Sequence, residues 1–242
     1  MANEHARGED EMTHVVMNTA PRAQAQSTIA PDELGALIAS RICHDLISPM
    51  GAIGNGVELL QLARGVSGPE MELIEQSITH ANTRLRLYRL AFGTVGDGQM
   101  ISQSEIGSLL QALSLHGRHS YQWQDARHFN RRYSKLVFLL ILCVESALPW
   151  GGDIVIAEAA DGLELSARAE RMKLDEGLWR MLDHQNPGAE LNAARVHFGL
   201  LAQELGAQKM TLTLARAPGL LRLHLHAAAA PRHRDDASPD GT

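Results

Sequence analysis

Cysteine is nearly absent: Cys43 and Cys143 are the only two in 242 residues, and they lie far apart in sequence. That excludes a disulfide framework and fits a reducing compartment. No apolar run approaches the roughly 18–20 residues that a membrane span requires. Basic excess is lacking too. The net charge is -6, which argues against a general nucleic-acid binder. The N-terminus is acidic and polar rather than basic and then apolar, so no secretory signal is expected there. A cytoplasmic protein with neither nucleic acid nor membrane as partner is the expectation. What is present suits a packed core, with hydrophobic residues at 45% and charged residues at 21%. The length allows one large domain or two small ones.

Residues 1–28 lack a periodic apolar face and are expected to form a mobile extension, as is the tail at 229–242. A helical hairpin is expected at 29–93. Helix one begins at Pro31-Asp32-Glu33, with Pro suited to the first helical position and acids to the positive end of the helix dipole. Leu34, Ile38, Ile42, Leu46, Met50, Ile53, Val57 and Leu60 make one stripe at spacings of three or four. Residues 65–69 break it, and Ser67 with Glu70 has capping-box spacing for a second helix. Met71, Ile74, Ile78, Ala81, Leu85, Tyr88 and Phe92 form a heptad seam that wants a partner helix along its length. A short turn makes the pair an antiparallel hairpin. The simplest closure is a second hairpin from another subunit, giving a four-helix bundle in a homodimer.

Gly93, Gly96 and Gly98 mark a linker. A second domain, 99–228, has mixed patterning. Helices are expected at 106–115 (with Ser102 and Glu105 as capping box), 134–148, 175–183 and 191–205, the last closed by Gly206. Strands are expected at 121–124, 154–158, 163–169, 209–215 and 220–226, with Asp161-Gly162 and Pro218-Gly219 as turns. The fold class is α+β, one mixed or antiparallel sheet with helices on one face.

The stretch with chemical content is Arg41-Ile42-Cys43-His44-Asp45-Leu46-Ile47-Ser48-Pro49. A His, an acid and, five residues after the His, a Pro form the pattern around the phospho-accepting His of two-component signalling proteins. At about 100° per residue, His44 lies opposite the apolar stripe. Its neighbours on that face are Arg41, Ile47, Ser48, Gly51 and Asn55. Gly51 and Gly54 each cost a helix about 1 kcal/mol relative to Ala, and small residues beside a protruding His let another protein's backbone approach. Pro49 removes an intrahelical hydrogen bond and is expected to bend the helix. Imidazole is a competent nucleophile near neutral pH. Arg41 can screen phosphate charge, and Asp45 can orient or deprotonate the ring nitrogen that does not take the phosphate. A lone exposed His is ordinarily polar surface, and His44 is one of 12 histidines. The surrounding pattern and its place opposite the core set it apart. Cys43 reads as a small hydrophobe, and Tyr88 and Phe92 as core. His224 and His226 share a strand face with no acid or Cys ligand near in sequence, so no metal site is expected.

Residues 41–60, Arg-Ile-Cys-His-Asp-Leu-Ile-Ser-Pro-Met-Gly-Ala-Ile-Gly-Asn-Gly-Val-Glu-Leu-Leu, resemble the alphaproteobacterial ChpT family of histidine phosphotransferases, and the resemblance extends over about 33–226. It implies a dimer with a central four-helix bundle and a C-terminal α/β sandwich like a degenerate histidine-kinase ATP-binding domain. It also implies a phosphorelay carrier that takes a phosphoryl group from the receiver of a CckA-like hybrid kinase and passes it to CtrA-like and CpdR-like response regulators. By motif position, His44 is the phosphorylated residue and Asp45 its acidic neighbour. No bound cofactor is expected, because the receiver supplies Mg²⁺ and ATP is not bound. A kinase needs an Asn-rich helix for Mg²⁺ and Gly-rich phosphate loops. Here Leu142-Cys143-Val144-Glu145-Ser146-Ala147-Leu148 has no Asn, and no Asp-x-Gly-x-Gly occurs. Rival readings are an active histidine kinase, a His-Asp metal phosphohydrolase and a structural dimeric adaptor.

Overall fold

The computed structural model describes residues 13–15, 31–63, 68–96, 98–124, 129–182 and 191–227. A short strand, β1 (Thr13–Val15), precedes two long helices, α1 (Pro31–Ala63) and α2 (Pro69–Phe92). Asp45 meets Tyr88 near one end of the pair, while Gly56 meets Ile74 and Glu70 near the other, so the helices are antiparallel. Gly56 is required at its crossing. A Cβ there would lie 2.5 Å from Ile74 and 3.3 Å from the Glu70 carbonyl. α1 continues through Pro49. Gly68 is the N-cap of α2, with Pro69 and the acids Glu70 and Glu72 in the first turn. Pro69 therefore opens this helix; Ser67, the expected capping residue, lies outside the described residues.

The rest of the chain runs β2 (Met100–Ile101), α3 (Gln103–His116), β3 (His119–Gln124), β4 (Phe129–Asn130), α4 (Arg131–Ala147), β5 (Gly152–Ala159), β6 (Gly162–Arg168), α5 (Glu176–Met181), a 3₁₀ turn at Ala193–Arg195, α6 (Val196–Gln208), β7 (Met210–Ala217) and β8 (Leu220–Ala227). Six strands form one sheet in the order β1-β7-β8-β6-β5-β3. Only the β3–β5 pair in it is parallel, so the sheet is mixed. Along the strands Ile154, Ile156, Leu163, Leu165, Leu223 and Leu225 point inward at alternate positions and are buried with α4. The caps are local. Ser102 accepts from the Glu105 N–H, Asn130 from Arg132, and Asp175 from Gly177 and Leu178.

Several expectations need correction. Thr13–Val15 falls within the expected mobile extension, yet it pairs with the otherwise open edge of β7, with Val15 opposite Leu214. Apart from those residues, 1–28 and 229–242 lie outside the described residues. α6 runs through Gly206 and ends at Lys209, whose φ of 52° is left-handed. Strand β7 begins at Met210, so the chain must reverse there and not three residues earlier. The small β2–β4 ladder, Met100 with Asn130 and Ile101 with Phe129, was not expected.

The hairpin and the second domain also share one core. Leu87, Tyr88, Leu90 and Ala91 of α2 belong to the same buried cluster as α3 and α4, and Leu34, Leu37, Ile38 and Ile42 of α1 pack against it. Arg131 donates to the Leu90 and Arg89 carbonyls, capping the end of α2 across the glycine segment. On the far side, Ile78 and Leu85 of the expected seam are each 43% exposed in this protomer.

Candidate functional site

Successive helical residues are rotated by about 100°, so His44 and Asp45 cannot face the same way. The His44 side chain is 82% exposed, whereas that of Asp45 is 16% exposed and turns toward α2. Asp45 Oδ1 lies 3.0 Å from His44 Nδ1. An ionised carboxylate only accepts, so Nδ1 carries the hydrogen and the Nε2 lone pair faces outward. The other carboxylate oxygen, Oδ2, accepts from the Tyr88 hydroxyl and pairs with Arg41 Nε at 3.1 Å and Arg84 Nη2 at 3.6 Å.

Arg84 continues the network into the second domain. Its Nη2 donates to the Tyr88 hydroxyl at 3.1 Å, and its Nη1 reaches Glu145 at 3.1 and 3.4 Å. The Tyr121 hydroxyl, from β3, donates to Glu145 Oε1 at 2.6 Å. Four elements, α1, α2, α4 and β3, thus hold one chain of alternating charges beneath the histidine. Burial pushes the Asp45 carboxyl up, but hydrogen bonds from His44 and Tyr88 and the charges of Arg41 and Arg84 outweigh it and hold the carboxyl below its usual range. For Glu145, burial is again opposed by the charge of Arg84 and the bond from Tyr121, with the same net lowering. Burial, backed by the neighbouring carboxylates, raises the Tyr88 and Tyr121 hydroxyls, with Arg84 opposing. Both remain donors.

His197, on α6, is buried, and its Nε2 has no hydrogen-bond partner among the described residues. Burial, with the nearby charge of Arg41, pushes its pKa down to about 3 against the opposing pull of Glu145 and Asp45. It is neutral at physiological pH.

Ile47, Ser48, Gly51 and Asn55 are all exposed near His44 along α1. A Cβ on Gly51 or Gly54 would meet nothing within 4 Å. Arg41 differs from its expected place: its guanidinium is committed to Asp45 and to the Ala194 carbonyl at 3.1 Å, rather than free beside the imidazole. Cys43 is exposed, not packed as a small hydrophobe. Sequence reasoning missed Arg84, Glu145, Tyr121 and His197, and saw Tyr88 only as core. The one local signal was Arg84 and Tyr88 four residues apart on α2. Elsewhere, His224 pairs with Asp161 at 2.9 Å and stacks on His226. Among the described residues no group of three or more His, Cys, Asp or Glu could hold a metal ion.

Residues 103–218 match the model of the histidine phosphotransferase C-terminal domain. The chain is 36% identical over 131 residues to the Protein phosphotransferase ChpT of Brucella abortus (strain 2308), a match covering 53% of this chain and 62% of that relative. A solved bacterial phosphotransferase superposes with a TM-score of 0.71 at 24% identity, covering 84% of this chain and 100% of that one, which is a likeness of fold. Residues 103–218 are thus similar to the histidine phosphotransferase C-terminal domain, the chain spans under two thirds of the length of its ChpT relative, and the hairpin with its mixed sheet shares the fold of a bacterial phosphotransferase.

Proposed function

We propose that this chain is a phosphorelay carrier in which His44 accepts a phosphoryl group from a receiver aspartate and passes it to another. The observation that carries the reading is the pairing of an exposed imidazole with a half-buried carboxylate 3.0 Å from Nδ1, which favours Nδ1–H and leaves Nε2 free. On uptake, Nε2 forms an N–P bond as the acyl-phosphate O–P bond breaks. The electron pair of that bond leaves with the receiver's aspartate as carboxylate. The positive charge gained by the ring sits on Nδ1–H beside Asp45, which stabilises it without a proton having to leave. Donation runs the same path backward: the next receiver's carboxylate forms the O–P bond, and the N–P pair returns to Nε2. The transition state is loose and charge-rich, so positioning dominates.

The face around His44 supports docking of a compact domain, since Gly51, about two helical turns further along that face, presents no side chain and has open space around it. The donor in this reading is the receiver of a CckA-like hybrid kinase, and the acceptors are CtrA-like and CpdR-like regulators, each receiver bringing its own Mg²⁺. Autonomous kinase activity is not part of the reading. Where a kinase would present Asn to Mg²⁺, α4 offers buried apolar residues and Glu145, whose carboxylate is already taken up by Arg84 and Tyr121. A metal phosphohydrolase is disfavoured because the guanidinium groups of Arg41 and Arg84 already crowd Asp45 Oδ2.

A homodimer is part of the proposal. Ile78, Leu85, Leu73, Leu59, Val57 and Met50 are exposed large apolar residues of α1 and α2, and a second hairpin would cover them. No described helix is long and apolar enough to cross a membrane, which is compatible with the cytoplasmic location proposed. The test is incubation with a phosphorylated receiver. Wild type should take up acid-labile phosphate and His44→Ala should take up none, while its thermal midpoint stays within the range of an exposed substitution, about 0.5 kcal/mol.

A further inference from the structure

Arg84 stands between two carboxylates. It contacts Glu145 at 3.1 and 3.4 Å but Asp45 only at 3.6 Å, so the guanidinium belongs first to the second domain. Its side chain is 16% exposed, which keeps solvent from screening it well. The charged groups within reach are few: Arg41 and Asp45 from α1 and Glu145 from α4, with His119 of β3 also acting on Glu145 and with Tyr88, Tyr121 and His197 neutral. Each carboxylate thus has its own guanidinium, Arg41 for Asp45 and Arg84 for Glu145. Asp45 Oδ1 is then left to His44 Nδ1–H alone.

We propose that Glu145 is a positioning residue for His44. It acts through Arg84 and Asp45, so that the second domain sets the tautomer of an imidazole it does not touch. The proposal rests on the phosphocarrier reading. With Glu145 neutral, the nearest anion for Arg84 is Asp45. The guanidinium closes on that carboxylate and draws its charge away from Oδ1. The hold on Nδ1–H weakens, and the ring divides between its two neutral tautomers. Only the tautomer with Nε2 unprotonated can attack phosphorus outward. Tyr121 orients Glu145 from the other side through its bond to Oε1, so β3 belongs to the same device.

The test uses the full-length protein, ¹⁵N-labelled at histidine, with the His44 ring resonances identified by their loss in His44→Ala. Two quantities are read: the tautomer of the free ring and the rate of uptake from a phosphorylated receiver. Wild type is expected to hold the Nδ1–H form. Glu145→Gln should give a mixture and slow uptake about tenfold, the lower end of what loss of an outer orienting partner costs. Glu145→Asp, which keeps the charge, should recover part of both. Should Glu145→Gln fail to fold, Tyr121→Phe removes one hydrogen bond without stranding a charge and should move the tautomer in the same direction by less. A wild-type tautomer and rate in folded Glu145→Gln, or in Tyr121→Phe where that variant is the one available, overturns the proposal. The tautomer is measured without any phosphoryl transfer. Wild-type uptake by His44→Ala would therefore overturn the carrier reading separately.

Discussion

In the proposed carrier, His44 and Asp45 divide one task between adjacent residues: the exposed imidazole is the group offered to the partner, and the half-buried carboxylate pairs with its Nδ1. Gly51 sits about two turns beyond His44 along α1, with open space around it. Gly51→Leu should therefore raise the thermal midpoint slightly, since Gly costs a helix about 1 kcal/mol relative to Ala. The same substitution should slow phosphoryl uptake strongly, because misplacement by about 1 Å can cost 100-fold. Both are read on one sample, and unchanged uptake in the folded variant would put the docking surface elsewhere. The outward side of His44 was readable because helical periodicity alone decides it. Its partners Arg84 and Glu145 were not readable. They lie 61 residues apart and join only when α2 packs on α4, and in sequence each looks like an ordinary helix-surface charge.

At the scale of elements, α2 is the piece whose reading changed most. The heptad seam predicts one buried face, but Leu87, Leu90 and Ala91 bury a second against α3 and α4. Buried Ser77 and Thr83 permit this by returning their hydroxyls to the Leu73 and Thr79 carbonyls. Alternating strands and the helix expected at 134–148 were legible because turn residues and period are local signals. The shared core was not, because it depends on which helix faces meet. Arg84 is the electrostatic pin of that meeting. Arg84→Ala leaves Glu145 buried without its cation and should cost about 3–5 kcal/mol, measurable by urea unfolding.

Acid should loosen the same joint. Asp45 and Glu145 are both held below their usual range in the folded chain, while unfolded carboxyls titrate near about 3.9 and 4.3. Their contribution is thus complete above about pH 5 and lost as pH falls through the lowered folded values. Stability of the wild type should be flat near neutrality and drop in acid, and Glu145→Gln should show a shallower drop.

At the scale of the molecule, Ile78 and Leu85 leave an apolar stripe on the hairpin that a single protomer does not cover. Leu85→Glu should convert a dimer into a monomer in light scattering at micromolar concentration with the C-terminal domain still folded. A wild-type protein already monomeric there would remove the bundle from the proposal. The family resemblance carried by residues 41–60 anticipated the helical hairpin and the mixed C-terminal domain of the fold, while the dimer it also implies stays part of the proposal.

In the proposed carrier, Asp45 holds Nδ1–H and thereby directs phosphate to Nε2 of His44. The most direct measurement of this is ³¹P–¹⁵N correlation spectroscopy of the full-length protein, ¹⁵N-labelled at histidine and phosphorylated by a receiver. One phosphoramidate is expected, bonded through Nε2 of His44 and absent in His44→Ala. Phosphate on Nδ1 of His44, or on any other residue, would contradict it.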